Sequence, residues 1–266
     1  MKQNILVTGA SSGFGFLIAT KLHQSGYNVI GTSRNPNKDA SKFPFKMIGL
    51  DLNSEDSTDT FARRLFDEIG HLDVVINNAG FLVSGIAEEI PIELGRRQFE
   101  TNFWGTVKVT NALLPHFRKR RAGKIVTVGS IIGLVSFPNT AYYAASKHAL
   151  EGYFKALRYE LSEFNISVAM IEPAAFRTSI IDNAASTLTT IADYDSLRGM
   201  IAKFSDDLAR NAEDPALVAE KVLRVVRADK PRFRNIVGKG TSTLINLQHF
   251  AYGILEKGIL KKLKSL

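Results

Sequence analysis

"TGASSGFG", residues 8–15, follows the apolar run "NILV" and precedes a helical pattern that starts at Gly13. Its glycines at 9, 13 and 15 allow a tight turn and let a ligand approach the backbone closely. The free N–H groups of a helix start attract a pyrophosphate. A glycine-rich turn alone is ordinary strand-to-helix packing. Placed after the first strand of a βαβ unit, it points to a dinucleotide. The spacing is GxxxGxG, not the GxGxxG of the common fingerprint.

Outward from this turn, short β-branched runs alternate with longer helical patterns. "NILVTG", "YNVIGTS", "FKMIGLDL", "DVVINNAG", "GKIVTVGS" and "ISVAMIEP" read as six strands, and "FRNIVGKG" (233–240) as a seventh. Most lack period-2 alternation, as strands do when both sheet faces are covered. Helices are predicted at about 13–28, 54–69, 91–119, 141–164 and 214–228, from periodicity and breakers. The rhythm predicts an α/β fold: a Rossmann-type doubly wound parallel sheet in a three-layer αβα arrangement, one domain over residues 1–266. Ligands bind such sheets beyond the carboxyl ends of the strands. Gly9, Arg34, Asp51, Asn77 to Gly80, Ser130 and Pro173 all fall there, so one site along that edge is expected.

"AYYAASKHAL" (141–150) sets two tyrosines before a lysine. On a helix, four residues of separation leave about 40° between side chains and five leave about 140°. Tyr143 therefore shares a face with Lys147, and Tyr142 points elsewhere as a pocket wall or packing residue. His148, rotated about 100° from Lys147, reads as surface or packing.

"TGASSGFG", "NNAG", Ser130 with Tyr143-x-x-x-Lys147, and Asn102 in "ETNFWGTV" together resemble the short-chain dehydrogenase/reductase family over roughly residues 4–180. "SFPNTAYYAASKHALEGYFKALRYEL" and "RFRNIVGKG" are similar to its subgroup of 17β-hydroxysteroid and retinol dehydrogenases. The resemblance implies that Gly9, Ser11, Gly13 and Gly15 line the pyrophosphate and adenosine ribose. Asp51 and Leu52 would border the adenine, and Asn78, Ala79 and Gly80 the adenosine half. Asn77 and Asn78 also read as plain turn residues. Pro173 and Thr178 would lie at the nicotinamide, and Ala174 stands where the family usually has glycine.

The same resemblance implies the chemistry. Tyr143 would be acid and base, with Lys147 lowering its pKa and bonding the nicotinamide ribose. Ser130 would hold the substrate oxygen, and Asn102 would anchor a water linking Lys147 to solvent. Taken singly, each residue has an ordinary structural role; the set favours catalysis over a non-catalytic dinucleotide sensor or scaffold. A lyase or epimerase is disfavoured by the glycine spacing. Phe81, Leu82, Val83, Phe137 and Phe176 read as an apolar substrate wall or as neighbouring core. Residues 179–212 resemble a substrate lid.

The cofactor is expected to be NADP(H). NAD sites usually offer a carboxylate to the ribose at the end of the second strand. Here "VIGTSRNP" offers Thr32, Ser33 and Arg34, with no acid until Asp39, a set suited to a 2′-phosphate. Arg34 as a solvated loop cation is the competing reading.

Composition sets the outer bounds. The chain has 266 residues, 45% apolar, with no cysteine, which excludes disulfides and thiol catalysis. No metal site is expected. No room for a signal peptide precedes the first strand, and a cytoplasmic location is the expectation. The net charge of +8 is concentrated in "HFRKRRAGK" (116–124) and the tail, which read as solvated surface and not as a nucleic-acid site. The partner expected is a small hydrophobic carbonyl or alcohol, with self-association left open. The tail, 241–266, reads as an amphipathic helix over the substrate pocket or a subunit contact, ahead of a membrane-surface role.

Overall fold

The computed structural model describes residues 2–38, 40–176, 184–187 and 189–264. Seven strands form one sheet: β1 (Asn4–Val7), β2 (Asn28–Ser33), β3 (Lys46–Gly49), β4 (Val74–Asn77), β5 (Gly123–Val128), β6 (Ile166–Pro173) and β7 (Arg234–Val237). Their order is β3-β2-β1-β4-β5-β6-β7, and neighbouring strands are parallel. The chain winds outward from β1 to β3, then resumes at β4 on the other side of β1. The crevice beyond β1 and β4 is therefore the switch point at which ligands bind.

Helices cover both faces. α1 (Gly13–Gln24) and α7 (Ala216–Arg227) pack over Ile5, Val7, Ile76, Val126 and Ile171. On the other face α2 (Glu55–Ile69), α4 (Thr106–Arg120) and α5 (Ala141–Glu160) pack over Leu6, Val75, Ile125, Val168 and Met170. Ile5 and Leu6 thus serve opposite faces, which is why the strands carry unbroken apolar runs. Each such side chain contributes about 1.5–3 kcal/mol when fully buried.

Two predicted elements are subdivided. The pattern at 91–119 is α3 (Ile92–Phe99), a π-helical segment at Glu100–Gly105, and then α4. The tail, read as one helix, is two: α8 (Thr241–Phe250) and α9 (Tyr252–Lys264), broken at Ala251 (φ −147°, ψ 46°). The segment between β6 and α7 carries a further helix, α6 (Asp195–Arg210). Leu197, Ile201, Phe204 and Leu208 give it a helical period hidden by a loop-like composition.

The basic cluster at 116–124 is structural. Arg118, Lys119 and Arg120 fall in the last turn of α4, which ends on Arg121 in the left-handed region (φ 50°). Arg120 pairs with Asp73 at 3.0 Å. Lys124 donates to the carbonyls of Val225, Val226 and Ala228 at 3.2, 2.6 and 2.6 Å, using its three protons to close the end of α7. No helix among the described residues is long and apolar enough to cross a membrane.

α9 turns Leu255, Ile259 and Leu263 inward. Leu255 and Ile259 pack with Ile131, Leu134 and Val135 beyond β5, and Ile259 and Leu263 with Ile86 and with Ile201 of α6. Leu260, 52% exposed, lies on the outer face. Leu255→Asp should lower the urea midpoint sharply, because it buries a carboxylate without a partner. Leu260→Asp should stay within about 0.5 kcal/mol of wild type, as surface changes do. Equal losses in the two variants would contradict this packing.

Candidate active site

The glycine turn is held from behind. Thr8 Oγ1 accepts the backbone N–H groups of Asn78 (2.9 Å) and Ala79 (3.0 Å), and Asn78 Nδ2 donates to the carbonyls of Thr8 (2.9 Å) and Gly9 (3.3 Å). These bonds lock the loop after β1 to the turn after β4. The fit requires glycine. A Cβ on Gly9 (φ +65°) would lie 2.9 Å from Ala79 Cα, and one on Gly15 would lie 2.2 Å from the Gly9 carbonyl oxygen. Gly13 (φ +53°) has open space around it. Ser12, the residue before α1, makes no side-chain cap and Ser11 is exposed, so the start of α1 is left uncapped by its N-cap side chain.

Beside the turn, Thr32 is buried, and its hydroxyl accepts Gly9 N–H at 3.3 Å. It supports the loop and does not face outward as a phosphate donor. Ser33 Oγ is buried without a partner, and Arg34 is exposed and pairs with no carboxylate among the described residues. Asp51 Oδ1 accepts Asn53 N–H at 3.0 Å, and Leu52 packs under Gly105. Asn77 is buried and donates to Thr110 (2.9 Å) and Thr127 (3.3 Å), which makes it a tie between β4, α4 and β5. Gly80 lies against Asn102, where a Cβ would meet Oδ1 at 3.0 Å. Pro173 pairs with Val237 at the end of β6, and Ala174 N–H continues that ladder to the Val237 carbonyl at 2.9 Å. Ala174 is not among the residues with positive φ; its methyl group uses the space that Gly238 (φ +123°) leaves. Thr178 lies outside the described residues.

Tyr143 and Lys147 are both buried on one face of α5. Lys147 Nζ donates to the Val128 carbonyl at 3.0 Å and lies 5.7 Å from the centre of the Tyr143 ring. Desolvation governs both groups. It pushes Tyr143 up to about 12 against a hydrogen bond from Ser130 that pulls the other way, and it pushes Lys147 down to about 8 against the attraction of Glu151. Burial, and not the lowering expected from Lys147, sets the direction for the Tyr143 phenol. Ser130 follows β5 and accepts Ile132 N–H at 3.2 Å, which fixes it at the start of a 3-10 turn. Tyr142 lies over Gly95 of α3, where a Cβ would meet its ring at 2.4 Å, and is a packing residue. His148 is exposed.

Asn102 sits in the π-helical segment. Its Oδ1 accepts Phe81 N–H at 3.0 Å, and its Nδ2 donates to the Phe81 carbonyl at 2.9 Å and to Ser146 at 3.4 Å. The side chain thus clamps the turn after β4 to α5. Thr8 and Gln98, which donates to the Phe81 carbonyl and accepts Val83 N–H, carry as much of this scaffold and were not singled out from sequence. Their signal is weak, since a threonine before a glycine turn and a glutamine inside a helix look ordinary.

The apolar residues divide. Phe176 is buried edge-on against Phe14 at 5.8 Å, in the core between α1 and α7, and so is not a pocket wall. Val83 is buried and bridges to Ala185. Phe81 is half-buried under the guanidinium of Arg97, and Leu82 is half-buried beside it. Phe137 stacks on Phe204 of α6 at 6.2 Å. Phe81, Leu82 and Phe137 therefore remain as apolar surface on this edge. Between the 84–89 loop and residues 184–187 with Thr190 lies a cavity of about 340 Å³, lined by Ser84, Asn139 and Arg198 among others; neither Ser130 nor Tyr143 lines it.

The family profile described as short chain dehydrogenase matches residues 3–189. The 3-ketodihydrosphingosine reductase of Bacteroides thetaiotaomicron is 36% identical, over 89% of this chain and 88% of its own length. Among solved structures, a short-chain dehydrogenase from Streptomyces avermitilis superposes with a TM-score of 0.84 at 30% identity, covering 100% of this chain and 98% of that one. ElxO with NADP bound superposes at 0.75 with 25% identity, covering 91% of this chain and 100% of its own. Matched by this profile over most of its length and by a relative at 36% identity, the chain belongs to the short-chain dehydrogenase family of oxidoreductases.

Proposed function

We propose that this protein is an NADP(H)-dependent carbonyl reductase and alcohol dehydrogenase for apolar substrates, with a long-chain ketone as the leading class. The observation that carries the reading is Tyr143 buried beside Ser130, with Lys147 one turn away, on the strand edge that also holds the glycine turn. The cofactor residues fit a dinucleotide: an α1 start uncapped by side chains, open space beside Gly13, and a buried Ser33 hydroxyl without a partner. Gly9, Ser11, Gly13 and Gly15 would hold the pyrophosphate side. Asn78, Ala79, Gly80, Asp51 and Leu52 would border the adenosine, and Pro173 and Thr178 the nicotinamide. When bound, the nicotinamide supplies or accepts the hydride.

The chain's own residues handle the proton. During reduction, negative charge grows on the substrate oxygen. Ser130 donates a hydrogen bond to it, and the Tyr143 O–H bond breaks as its proton moves to that oxygen. A phenol raised to about 12 is fully protonated at neutral pH, which suits this direction. The phenolate left behind is stabilised by the charge on Lys147, and Asn102 holds the segment beside that lysine. The apolar residues Phe81, Leu82 and Phe137, and the relative named for a ketosphingoid substrate, support an apolar chain on the reacting carbonyl. A lid over residues 179–212 belongs to the same reading; within it α6 packs on α9, and residues 179–183 and 188 lie outside the described residues.

Tyr143→Phe should abolish turnover while NADPH still binds, whereas Tyr142→Phe should keep most activity. Near-normal turnover by Tyr143→Phe would sink the proton assignment.

Lys147, at about 8, carries its charge below that pH and loses it above. The kcat for reduction should therefore be level on the acid side and fall as pH rises through about 8. A rate that climbs through that range would contradict the role.

ElxO carries NADP, and Ser33 with Arg34 suits a 2′-phosphate. Arg34→Ala should raise the KM for NADPH by about one to two orders of magnitude, or about 1.5–3 kcal/mol for a hydrogen bond to a charged group. NADH kinetics should barely change. Equal losses with both cofactors, or a wild type that prefers NADH, would overturn the assignment.

A further inference from the structure

Behind the lysine lies a charged cluster that the proton chemistry above does not use. Glu151 follows Lys147 by four residues on α5 and so occupies the same face one turn on. Glu172, on β6, is fully buried. Arg234, on β7, reaches both: Nη2 lies 3.1 Å from Glu151 Oε2, and Nε lies 3.3 Å from Glu172 Oε1. One guanidinium thus bridges carboxyl groups from two other elements. The remaining oxygens, Glu151 Oε1 and Glu172 Oε2, are buried with no partner of ordinary kind.

Two buried carboxylates with one cation between them are a poor arrangement if both are ionised. Like charges at such range hold a proton in common, as the paired carboxyl groups of other sites do. Burial, then the charge of Glu151 and a hydrogen bond to its carboxyl group, push Glu172 well above the usual carboxylate range. A proton on Glu172 turns an acceptor into a donor and gives an otherwise stranded oxygen a partner.

Other charged groups on the elements packed against α5 are engaged elsewhere or exposed. Glu100 pairs with Lys108, and Arg97 lies over Phe81. Arg158 donates to the carbonyls of Val168 and Pro231. Glu93, Arg96 and His148 are exposed. The 3-10 turn at Ile131–Gly133 presents no charge. Lys147 is left with the Glu151–Glu172–Arg234 cluster as its charged neighbourhood.

The geometry points to Glu151, Glu172 and Arg234 as positioning residues for the catalytic lysine: Glu172 holds the proton of the acid pair, Arg234 bridges the two acids, and the Glu151 carboxylate, nearest the lysine on its own helix face, keeps Lys147 protonated inside the protein. The inference rests on the proposed role of Lys147 and extends it. Burial alone drives the lysine toward neutrality, and the negative charge on its own helix face opposes that drift. Arg234 fixes which way the charge faces, since its fork engages one oxygen of each acid.

The test is a pH titration of Lys147 by NMR in the full chain labelled with [13Cε]lysine, its signal assigned through Lys147→Arg. In wild type the midpoint should lie near 8. In Glu151→Gln it should fall by about one pH unit, the size of effect that loss of a nearby opposite charge produces. In Glu172→Gln it should stay at the wild-type value, because glutamine mimics the protonated acid. Glu151→Asp, which keeps the charge, should lie closer to wild type than Glu151→Gln and so separates charge from packing. The alkaline limb of the kcat profile should move with the lysine midpoint in each variant. An unchanged midpoint in Glu151→Gln, or an equal fall in Glu172→Gln, would overturn the inference. If no carbonyl is turned over at any pH, the proposed function fails, while the lysine titration still decides this point.

Discussion

The hydrogen bonds from the Asn78 and Ala79 amides to Thr8 Oγ1 are the constraint on which the rest of the site depends. They span the point where the strand order reverses, between β1 and β4. Without them the glycine turn and the 77–80 turn would be two independent loops. With them the two turns form one rigid wall, and the absence of side chains at Gly9 and Gly15 lets the wall close to van der Waals distance. Asn102 extends the same wall to α5 by clamping Phe81. The glycine-turn edge and α5 are thereby held in one frame.

On that frame, burial sets the chemistry. Tyr143 and Lys147 are both removed from water, and desolvation moves them toward neutrality from opposite directions, one up to about 12 and the other down to about 8. The phenol and the ammonium, which titrate close together in water, are thereby driven apart, because burial favours each neutral form. The pair then answers to the few charges nearby. A serine at the phenol and an acid cluster behind the lysine bias it in different ways, and neither would count for as much in open solvent.

Much of this was legible in the sequence. The βαβ rhythm, seven strands and their shared edge follow from apolar runs punctuated by glycine, proline and polar turns, and the Tyr143–Lys147 phase follows from helical spacing alone. What escaped has physical reasons. Thr32 sits at an outward-looking position in the pattern but turns its hydroxyl inward to Gly9, a choice made by a partner 23 residues away. Phe176 follows a site motif, yet it is captured by Phe14 in the core. The Glu151–Glu172–Arg234 cluster joins three elements that only the β6–β7 pairing brings together. The tail was readable as amphipathic, but its break at Ala251 has neither proline nor glycine at the position itself to announce it.

The central claim is hydride transfer to a carbonyl at this edge, and isotope transfer addresses it most directly. The protein would be incubated with NADPH carrying deuterium at both C4 positions and with a panel of long-chain, steroid and retinoid carbonyls, and the alcohols analysed by mass spectrometry. The account predicts one deuterium on the carbinol carbon of a long-chain product. Alcohol formed without deuterium at that carbon, or no alcohol from any member of the panel, would contradict it.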